Sequence, residues 1–475
     1  MMTSPLRRFG FLALAVALLA PTAPASPPNI ILFVADDLGW TDLACFGSGY
    51  YRTPNIDRLA RTGIRFTAAY TCGPNCAPTR ACLMSGQYSP RHGIYTVSTG
   101  ARGQAKFRKL IPVVNRTVLD TGILTLAERL QSAGYATAHF GKWHLGPPPQ
   151  AGPRQQGFDI NFGGNKTGSP RGGYFSPYKN PQLKDGPPGE NLTDRLATEA
   201  ANVIRQHVRH FPRKPFFVYL PFYAVHTPIQ AKQKLAAEYA KRKPAGGHGN
   251  PKYAAMVETM DAGVGRVLAT IDELKLTGET VVIFTSDNGG LGGYGALGGS
   301  TGRSITDNAP LRGGKGMLYE GGIRVPLIAR WPGQTRAGAT CSTPIITVDF
   351  YPTLAEIAGT TLPADQVADG VSFTPLLRGG SLPDRSLFWH FPGYLQANAR
   401  KGTWRTTPAG AVRSGDWKLI EFFEDGRREL YHTGRDIGET RDLAADQPDV
   451  ANSLFATLQA WRTRVKAPLP TRSRR

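Results

Sequence analysis

Short apolar runs alternate with helix-like segments along most of this chain. The first run, N-I-I-L-F-V-A at Asn29–Ala35, is apolar throughout, which is typical of a strand buried on both faces of a sheet. A helical pattern follows at Pro54–Thr62, where Pro54 marks the start and Gly63 the end. Because parallel strands need long crossover connections, which are usually helices, the alternation predicts an α/β fold with a large, mostly parallel sheet between helices.

The alternation continues in the same form further along the chain. Further strands are predicted at Ile64–Tyr70, 135–140, 216–220 and 280–285, and further helices at 125–132, 193–210 and 252–274. Two long stretches rich in glycine and proline, 146–189 and 289–316, lie between these elements. Loops of this length in a compact domain are more often functional than idle, which favours a functional role for both.

The pattern changes near Pro375. Short strand-like runs follow at 387–391, 410–413, 417–423 and 428–431, with a hairpin signal at Glu424-Asp425-Gly426 and a final helix at 449–464. These features predict a small antiparallel sheet with a C-terminal helix, packed on the main domain. The expected division of the chain is a signal peptide at 1–25, a main domain at 26–375 and an α+β subdomain at 376–475.

The N-terminal segment has the features of an export signal. Arg7 and Arg8 precede an uncharged apolar stretch at 11–20, and Ala23-Pro24-Ala25 supplies the small residues expected before a cleavage site. No other segment of the sequence approaches the roughly 18 uninterrupted apolar residues of a membrane span. We therefore expect an exported protein, periplasmic or extracellular, without stable membrane insertion.

The chain carries an excess of basic residues, with a formal net charge of +21. Such a charge raises the local concentration of anionic ligands. The basic residues are dispersed, and the sequence has no stripe of basic and aromatic side chains of the type that binds single-stranded nucleic acid. We therefore expect no nucleic-acid partner. A sulfated polymer and an anionic membrane surface are candidate ligands, and a generally basic surface explains the charge equally well.

Acidic residues follow two of the predicted strands. Asp36 and Asp37 come directly after the first strand, and Asp287 and Asn288 follow the strand at 280–285. One such pair is commonly a loop terminator or a helix cap, but two pairs at two strand ends favour a ligand site, since ligands bind at the carboxyl ends of parallel strands. Three carboxylates and an amide oxygen form a hard ligand set that suits Ca²⁺ first and Mg²⁺ second.

One cysteine lies in a distinctive motif. The run C-A-P-T-R-A-C-L-M-S-G begins at Cys76 and ends at Gly86, with proline two residues and arginine four residues after the cysteine. It resembles the signature of type I sulfatases, in which a maturation enzyme oxidises this cysteine to formylglycine. A buried free thiol or half of a disulfide is the simpler alternative for Cys76.

Three further runs strengthen this resemblance to the sulfatase family. They are G-K-W-H-L-G, which contains Lys142 and His144, A-V-H-T-P, which contains His226, and R-G-G-K-G-M-L-Y-E-G-G-I-R-V-P, which contains Lys315. The resemblance extends from about residue 29 to residue 332 and is weaker through 348–359. It implies the alkaline-phosphatase-like fold, with a large mixed sheet sandwiched by helices.

The resemblance also implies a site and a reaction. The hydrated formylglycine at position 76 would attack sulfur in a sulfate ester, and collapse of its second hydroxyl would release sulfate. The residues implied as catalytic are Cys76, Arg80, Lys142, His144, His226 and Lys315. Those implied as metal ligands are Asp36, Asp37, Cys76, Asp287 and Asn288, and those implied as sulfate-binding are Lys142, His226 and Lys315.

The resemblance assigns distinct roles within this set. Arg80 would hold the formylglycine oxygen, His144 would take the proton of the second hydroxyl, and His226, with Lys315, would assist the leaving alcohol. Asp287 is a plausible proton acceptor for the attacking hydroxyl. The cysteines that remain, Cys45, Cys72, Cys82 and Cys341, allow three disulfide connectivities, and free thiols are equally plausible.

Two alternatives to a sulfatase stay open at this stage. A phosphonate monoester or phosphodiester hydrolase of the same superfamily can share the formylglycine motif, and an exported polyanion-binding protein would use the basic charge without turnover. For a sulfatase, the expected substrate is an aryl or carbohydrate sulfate ester. Five loop residues are candidates for its pocket, although a structural role explains each of them as well: His92, Arg303, Trp389, His390 and Arg413.

Overall fold

A nine-stranded sheet forms the centre of the computed structural model, which describes residues 27–294, 305–362 and 364–473. The expected signal peptide at 1–25 lies outside the described residues. The first ten strands, of which all except β3 belong to this sheet, are β1 (Asn29–Ala35), β2 (Ile64–Tyr70), β3 (Leu110–Ile111), β4 (Ala136–Phe140), β5 (Ile160–Phe162), β6 (Phe216–Pro221), β7 (Thr280–Ser286), β8 (Arg324–Arg330), β9 (Ala339–Cys341) and β10 (Ile345–Ile346).

The strands of this sheet run in the order β10-β2-β8-β7-β1-β6-β4-β5, with β9 beside β2. All pairs are parallel except those of β8, which is antiparallel to both β7 and β2. The prediction of a mostly parallel sheet is confirmed, and β1 lies near its centre, between β6 and β7.

Helices cover both faces of the sheet. The chain contains α1 (Pro54–Thr62), α2 (Cys76–Ser85), α3 (Ser89–His92), α4 (Leu126–Ser132), α5 (Leu192–His210), α6 (Gln233–Tyr239), α7 (Pro251–Glu273), α8 (Glu320–Ile323), α9 (Phe350–Ile357), α10 (Thr374–Leu377) and α11 (Pro448–Arg464). Apolar side chains of α1, α5 and α7 form one core with alternate residues of β1, such as Ile31 and Phe33. Those of α2, α4 and α9 form a second core with Ile30 and Leu32 on the other face.

The strand β8 was not predicted from the sequence, and its sequence R-V-P-L-I-A-R places Pro326 inside the strand. Proline cannot donate a ladder hydrogen bond, so it argues against a central strand. The neighbouring β2 accommodates it with an irregularity: Phe66 pairs with Leu327 and Ala69 pairs with Val325, so the register shifts opposite the proline. A local defect in one strand therefore permits proline in its partner.

A second, antiparallel sheet follows in the C-terminal part, as predicted. Its strands run in the order β11-β14-β15-β16, α11 lies against it, and the hairpin β12–β13 and the strand β17, which pairs with β3, lie outside it. The bounds of these strands are β11 (Ser386–Phe391), β12 (Leu395–Asn398), β13 (Thr403–Thr406), β14 (Ala409–Ser414), β15 (Trp417–Phe422), β16 (Arg428–His432) and β17 (Thr471–Arg472).

The two sheets share buried contacts. Residues Tyr70 and Cys82 of the main part lie in one apolar core with Trp389 and Trp461 of the C-terminal part. The division of the chain at residue 375 stays a prediction. None of the helices in the described ranges has the length and apolar character needed to cross a bilayer.

Candidate active site

Four polar residues meet at the carboxyl ends of β1 and β7. These strands are parallel neighbours with Ala35 beside Ser286, so the residues that follow each strand are brought together. Asp36, Asp37, Asp287 and Asn288 are all buried, and ligand oxygens of the three aspartates lie within 4.8 Å of one another. The spatial cluster expected from the two strand ends is therefore present.

The cluster fits a hard divalent cation. One carboxylate oxygen of Asp36, Oδ1, and the amide oxygen of Asn288 are buried without a hydrogen-bond donor. Buried acceptors without a donor are rare in proteins, and a cation would satisfy both. The set consists of oxygens only, which favours Ca²⁺ or Mg²⁺ over Zn²⁺.

Asp37 has an unusual backbone conformation. Its φ of 64° lies in the left-handed region, which few residues other than glycine adopt. Its backbone N–H donates to the carboxylate of Asp287 at 3.3 Å, and its own carboxylate accepts from Asn288 at 2.8 Å. Such strained positions concentrate at functional sites, where neighbouring contacts hold them in place.

Two lysines are paired with two of the carboxylates. The ammonium of Lys142 lies 2.6 Å from Asp36, and that of Lys315 lies 2.6 Å from Asp37. Burial raises the pKa of Asp36 and the nearby Asp287 adds to this, while Lys142 opposes both. Burial acts in the same direction on Asp37, but Lys315 and His226 outweigh it and hold the pKa of Asp37 well below its usual range.

Lys142 and His144 follow β4, as the sequence indicated. The turn between strand and lysine requires glycine, because Gly141 has a φ of 121° and a Cβ there would lie 2.1 Å from the carbonyl oxygen of Pro221. Lys142 is fully buried. Burial, together with the charges of Lys142 and Arg80, lowers the pKa of His144 well below its usual value, so the imidazole is neutral.

Cys76 is the first residue of α2, and its side chain is buried. Proline at position 78 fits this first turn, where backbone N–H groups have no partner within the helix. The thiol lies in a possible ligand group with Asp36 and His226. Burial raises the pKa of the thiol, and Lys142 and Lys315 act in the opposite direction.

Arg80 lies one turn further along α2, where the i, i+4 spacing was expected to bring it towards Cys76. Its guanidinium donates to the carboxylate of Asp287 and, at 2.8 Å, to the carbonyl of Lys142. These contacts link α2 to the ends of two strands, β4 and β7. No direct hydrogen bond from Arg80 to Cys76 is present in the described residues.

His226 lies beside Cys76, since a ring nitrogen of His226, the sulfur of Cys76 and a carboxylate oxygen of Asp36 are all within 4.8 Å of one another. Its Nδ1 donates to the carbonyl of Thr227 at 2.7 Å, and its Nε2 is 3.7 Å from the carboxylate of Asp37. Burial and the charge of Lys315 lower the pKa of His226 to about 3, although Asp37 opposes them. The imidazole is therefore neutral in this arrangement, with Nε2 free to accept a proton.

A cavity of about 390 Å³ opens beside the cluster. Asp37, His226 and Lys315 form one side of it. The remaining walls contain residues that the sequence did not single out, among them Asn75, Arg102, Tyr294, Gln396 and Arg405. Asn75 directly precedes Cys76, and the wall residues Thr227 and Gly316 lie within the motifs of His226 and Lys315, whereas Arg102, Gln396 and Arg405 approach through tertiary contacts.

The loop residues considered for this pocket have structural contacts instead. Trp389 donates to the carbonyl of Thr71, His390 bonds to the carbonyl of Pro468, and Arg413 donates to the hydroxyl of Tyr70. His92 is buried 3.4 Å from the sulfur of Cys82. Arg303 lies outside the described residues.

All five cysteines are free thiols. Cys72 and Cys82 are close enough for their side chains to interact. Burial raises the pKa of a thiol, but in Cys82 the hydrogen bonds from Cys72 and His92 outweigh it and lower the pKa to about 6. Both cysteines belong to the apolar core that includes the C-terminal sheet.

Two family models match the chain. The model described as Sulfatase matches residues 28–360, and the one described as N-sulphoglucosamine sulphohydrolase, C-terminal, matches residues 314–464. Together they span both sheets.

Individual relatives match over nearly the whole length. A sulfatase of Formosa agariphila is 36% identical, over 98% of this chain and 96% of the relative. The N-acetylgalactosamine-6-sulfatase of Homo sapiens is 34% identical, over 94% of this chain and 87% of the relative. The crystal structure of Ps i-CgsB in complex with k-i-k-neocarrahexaose superposes with a TM-score of 0.73 and 29% identity, over 92% of this chain and 93% of that one.

These matches confirm the alkaline-phosphatase-like fold that the motifs implied, and they confirm an enzyme rather than a binding protein. The chain therefore belongs to the sulfatase family and is a hydrolase of sulfate esters.

Proposed function

We propose that the chain removes sulfate from a sulfated saccharide, with position 76 as the formylglycine nucleophile. The observation that carries this proposal is the convergence of Cys76, Lys142, His226 and Lys315 beside three buried aspartates at the end of one cavity. The saccharide is supported by two relatives: one is named for the 6-sulfate of N-acetylgalactosamine, and one was solved with a neocarrahexaose.

Formylglycine, made from Cys76 by a maturation enzyme, supplies a hydroxyl that attacks sulfur and a second hydroxyl whose loss of a proton expels sulfate. The first turn of α2 orients this position, since the backbone N–H groups and the helix dipole there favour negative charge. Burial of the position excludes bulk water from the reacting atoms.

A divalent cation, Ca²⁺ in preference to Mg²⁺, would be held by Asp36, Asp37, Asp287 and Asn288, with position 76 as a further ligand. It would withdraw charge from a sulfate oxygen. Support for this assignment comes from the two buried acceptor oxygens and from the oxygen-only ligand set.

The basic residues divide into two groups by position. Lys315 and His226 face the cavity, where the leaving alcohol would lie, whereas Lys142 and His144 are on the β4 side of the cluster. We assign Lys142, Lys315 and His226 to sulfate binding, Arg80 to the oxygen on position 76, and His144 to the proton of the second hydroxyl. Asp287 is the assigned proton acceptor for the attacking hydroxyl.

His226 needs a change in its surroundings to serve as the acid. Its pKa of about 3 makes it neutral beside Lys315. An anionic sulfate ester in the cavity would add negative charge next to the imidazole and favour its protonated form. Lys315, which is held charged by Asp37, is the second proton donor within reach of the same space.

We further propose where the protein is located and how its chain divides into domains. Residues 1–25 are a signal peptide, so the mature protein is periplasmic or extracellular. Residues 26–375 form the catalytic domain and residues 376–475 a subdomain that supplies part of the cavity wall, including Gln396 and Arg405.

The experiment is sulfate release from a panel of esters by protein co-expressed with a formylglycine-generating enzyme and supplied with Ca²⁺. We expect turnover of 4-nitrophenyl sulfate and of sulfated saccharides, and none by Cys76→Ala. Phenylphosphonate monoesters and bis(4-nitrophenyl) phosphate run in parallel. Faster turnover of these than of every sulfate ester would contradict the proposal in favour of a phosphonate or phosphodiester hydrolase.

A further inference from the structure

Two arginines line the same cavity as Lys315. Arg102 comes from the loop after α3, and Arg405 comes from β13 of the C-terminal part. Burial lowers the pKa of Arg102, the thiol at position 76 opposes this, and the charge of Arg405 adds to it.

Neither guanidinium has a carboxylate partner within the part of the chain that the structure describes. Arg102 donates to the carbonyl of Val97 at 2.6 Å, and the guanidinium of Arg405 lies 4.3 Å from the centre of the Tyr294 ring. The neighbouring stretch 295–304, which is not described, contains no aspartate or glutamate. Both side chains are partly exposed to the cavity, so two cations without an acidic partner there attract an anionic ligand.

The surroundings hold Arg102 in place. Arg108 donates to the carbonyl oxygens of Ala101, Arg102 and Gly103 at 2.8 to 3.0 Å, which fixes the loop that carries Arg102. The backbone of the same loop bonds to the residue before β12, since the N–H of Tyr394 donates to the carbonyl of Gly100 at 2.8 Å.

Arg405 is positioned from the other side. Tyr294, on which it stacks, donates its hydroxyl to the carbonyl of Lys315 at 2.8 Å. Stacking on an aromatic ring orients a guanidinium and leaves its edge N–H groups available to a ligand. The ring therefore links Arg405 to the residue that we assign to the scissile sulfate.

We propose that Arg102 and Arg405 form a second anion-binding subsite, which binds a sulfate or carboxylate group carried by the saccharide beside the scissile ester. This inference rests on the proposed function. A cavity of about 390 Å³ is of a size that accepts a sugar of one or two residues. Guanidinium forks match both sulfate and carboxylate, so the substrate class is a saccharide with at least two anionic groups.

The test compares three probes that share one scissile ester: a hexosamine with a single sulfate, the same sugar with a second sulfate, and the singly sulfated sugar linked to a uronic acid. One charge-assisted contact is worth about 1.5 kcal/mol or more, so we expect kcat/KM for at least one dianionic probe to exceed that for the monosulfate by about tenfold. The better dianionic probe identifies the second anion as sulfate or carboxylate.

Variants then assign the preference to the two arginines. Arg102→Gln and Arg405→Gln should each lower the ratio of kcat/KM between the preferred dianionic probe and the monosulfate, and the double variant should bring it close to one. Arg405→Lys, which keeps the charge but loses the fork, should lower it less. Arg213→Gln is the control, since it makes the same charge change at an exposed position before β6, at the opposite end of the sheet from the site.

The possible results separate failure of the subsite from failure of the proposed sulfatase activity. Equal kcat/KM for the three probes in the wild type, or a ratio that both arginine variants leave intact, would overturn the subsite while the proposed sulfatase activity stands. Because the ratio is internal to each variant, a partly unfolded sample does not imitate loss of selectivity. Absence of sulfate release from all probes would overturn the proposed function and the subsite together.

Discussion

Arg80 and Asp287 form an ion pair in the interior of the protein. Nε of the guanidinium lies 2.9 Å and a terminal nitrogen 2.7 Å from one oxygen of the carboxylate, and the side chains are 1% and 0% exposed. The pair joins α2, which carries position 76, to the end of β7. It therefore fixes the nucleophile relative to the carboxylate cluster.

Removal of Arg80 should lower both stability and activity. Arg80→Ala leaves the carboxylate of Asp287 buried without its partner, and breaking a buried pair in this way costs about 3 to 5 kcal/mol of unfolding free energy. Arg80→Lys should cost less. The measurement is the urea midpoint, with Arg58→Ala as a matched control, because the Arg58–Asp272 pair is 3.0 Å long but exposed. An exposed pair contributes about 1 kcal/mol or less, so equal losses in the two alanine variants would contradict this account.

Calcium should stabilise the protein through the aspartate cluster. A cation that binds only the folded state at 100 times its Kd adds about 2.7 kcal/mol, so the melting temperature should rise with Ca²⁺ and, to a smaller extent, with Mg²⁺. Asp36→Asn should lose most of this rise, whereas Asp384→Asn, which removes an exposed carboxylate, should keep it. A calcium-dependent rise that is unchanged in Asp36→Asn would place the ion elsewhere.

Gly168 should be intolerant of a side chain because of His144. A Cβ at position 168 would lie 2.4 Å from Cε1 of the imidazole, so Gly168→Ala must displace the ring. If His144 moves a proton in the reaction, turnover of a sulfate ester should fall by about a hundredfold, the usual contribution of a positioned acid or base. Gly278→Ala is the control, since no atom lies within 4 Å of its added Cβ. Equal turnover in the two variants would remove His144 from the mechanism.

The free energy of unfolding should decrease at acidic pH, because His139 has a lowered pKa in the folded protein. Burial, with a contribution from Arg80, lowers the pKa of this histidine to about 3, whereas it is about 6.5 in an unfolded chain. Below pH 6.5 the unfolded state therefore binds a proton that the folded state does not. The stabilisation is complete above pH 6.5 and is lost progressively as the pH falls towards 3.

The variant His139→Gln separates the contribution of His139 to the pH dependence from that of other titrating groups. Between pH 7.5 and pH 5.0 the wild type should lose about 2 kcal/mol of unfolding free energy that His139→Gln does not lose. Urea midpoints at the two pH values measure the difference, and the exposed His210→Gln serves as the control. Parallel pH dependence in the wild type and His139→Gln would show that His139 is protonated in the folded state.

The sequence predicted the elements whose pattern is local. The continuous apolar run of β1 and the proline-to-glycine bounds of α1 match the structure residue for residue. The acidic residues meet as predicted, because parallel neighbours end at one edge of a sheet. Each acidic pair directly follows its own strand, and the parallel pairing of β1 with β7 then brings the two pairs together.

The features that were missed depend on contacts between distant segments. β8 is a strand despite Pro326 because β2 shifts its register opposite the proline. Arg102 reaches the cavity because its loop bonds to Tyr394, just before β12 and nearly 300 residues later in the chain. Arg405 reaches it by stacking on Tyr294. No local pattern marks such pairings, so propensity and periodicity do not predict them.

The central claim is that position 76 acts as formylglycine in sulfate-ester hydrolysis. The most direct measurement is peptide mass spectrometry of this position in parallel with sulfate release, on samples expressed with and without a formylglycine-generating enzyme. The account predicts that specific activity rises in proportion to the fraction of peptide with the mass loss of thiol-to-aldehyde conversion, and that Cys76→Ala is inactive with a near-wild-type melting temperature. Full activity in a sample whose Cys76 is entirely an unmodified thiol would contradict it.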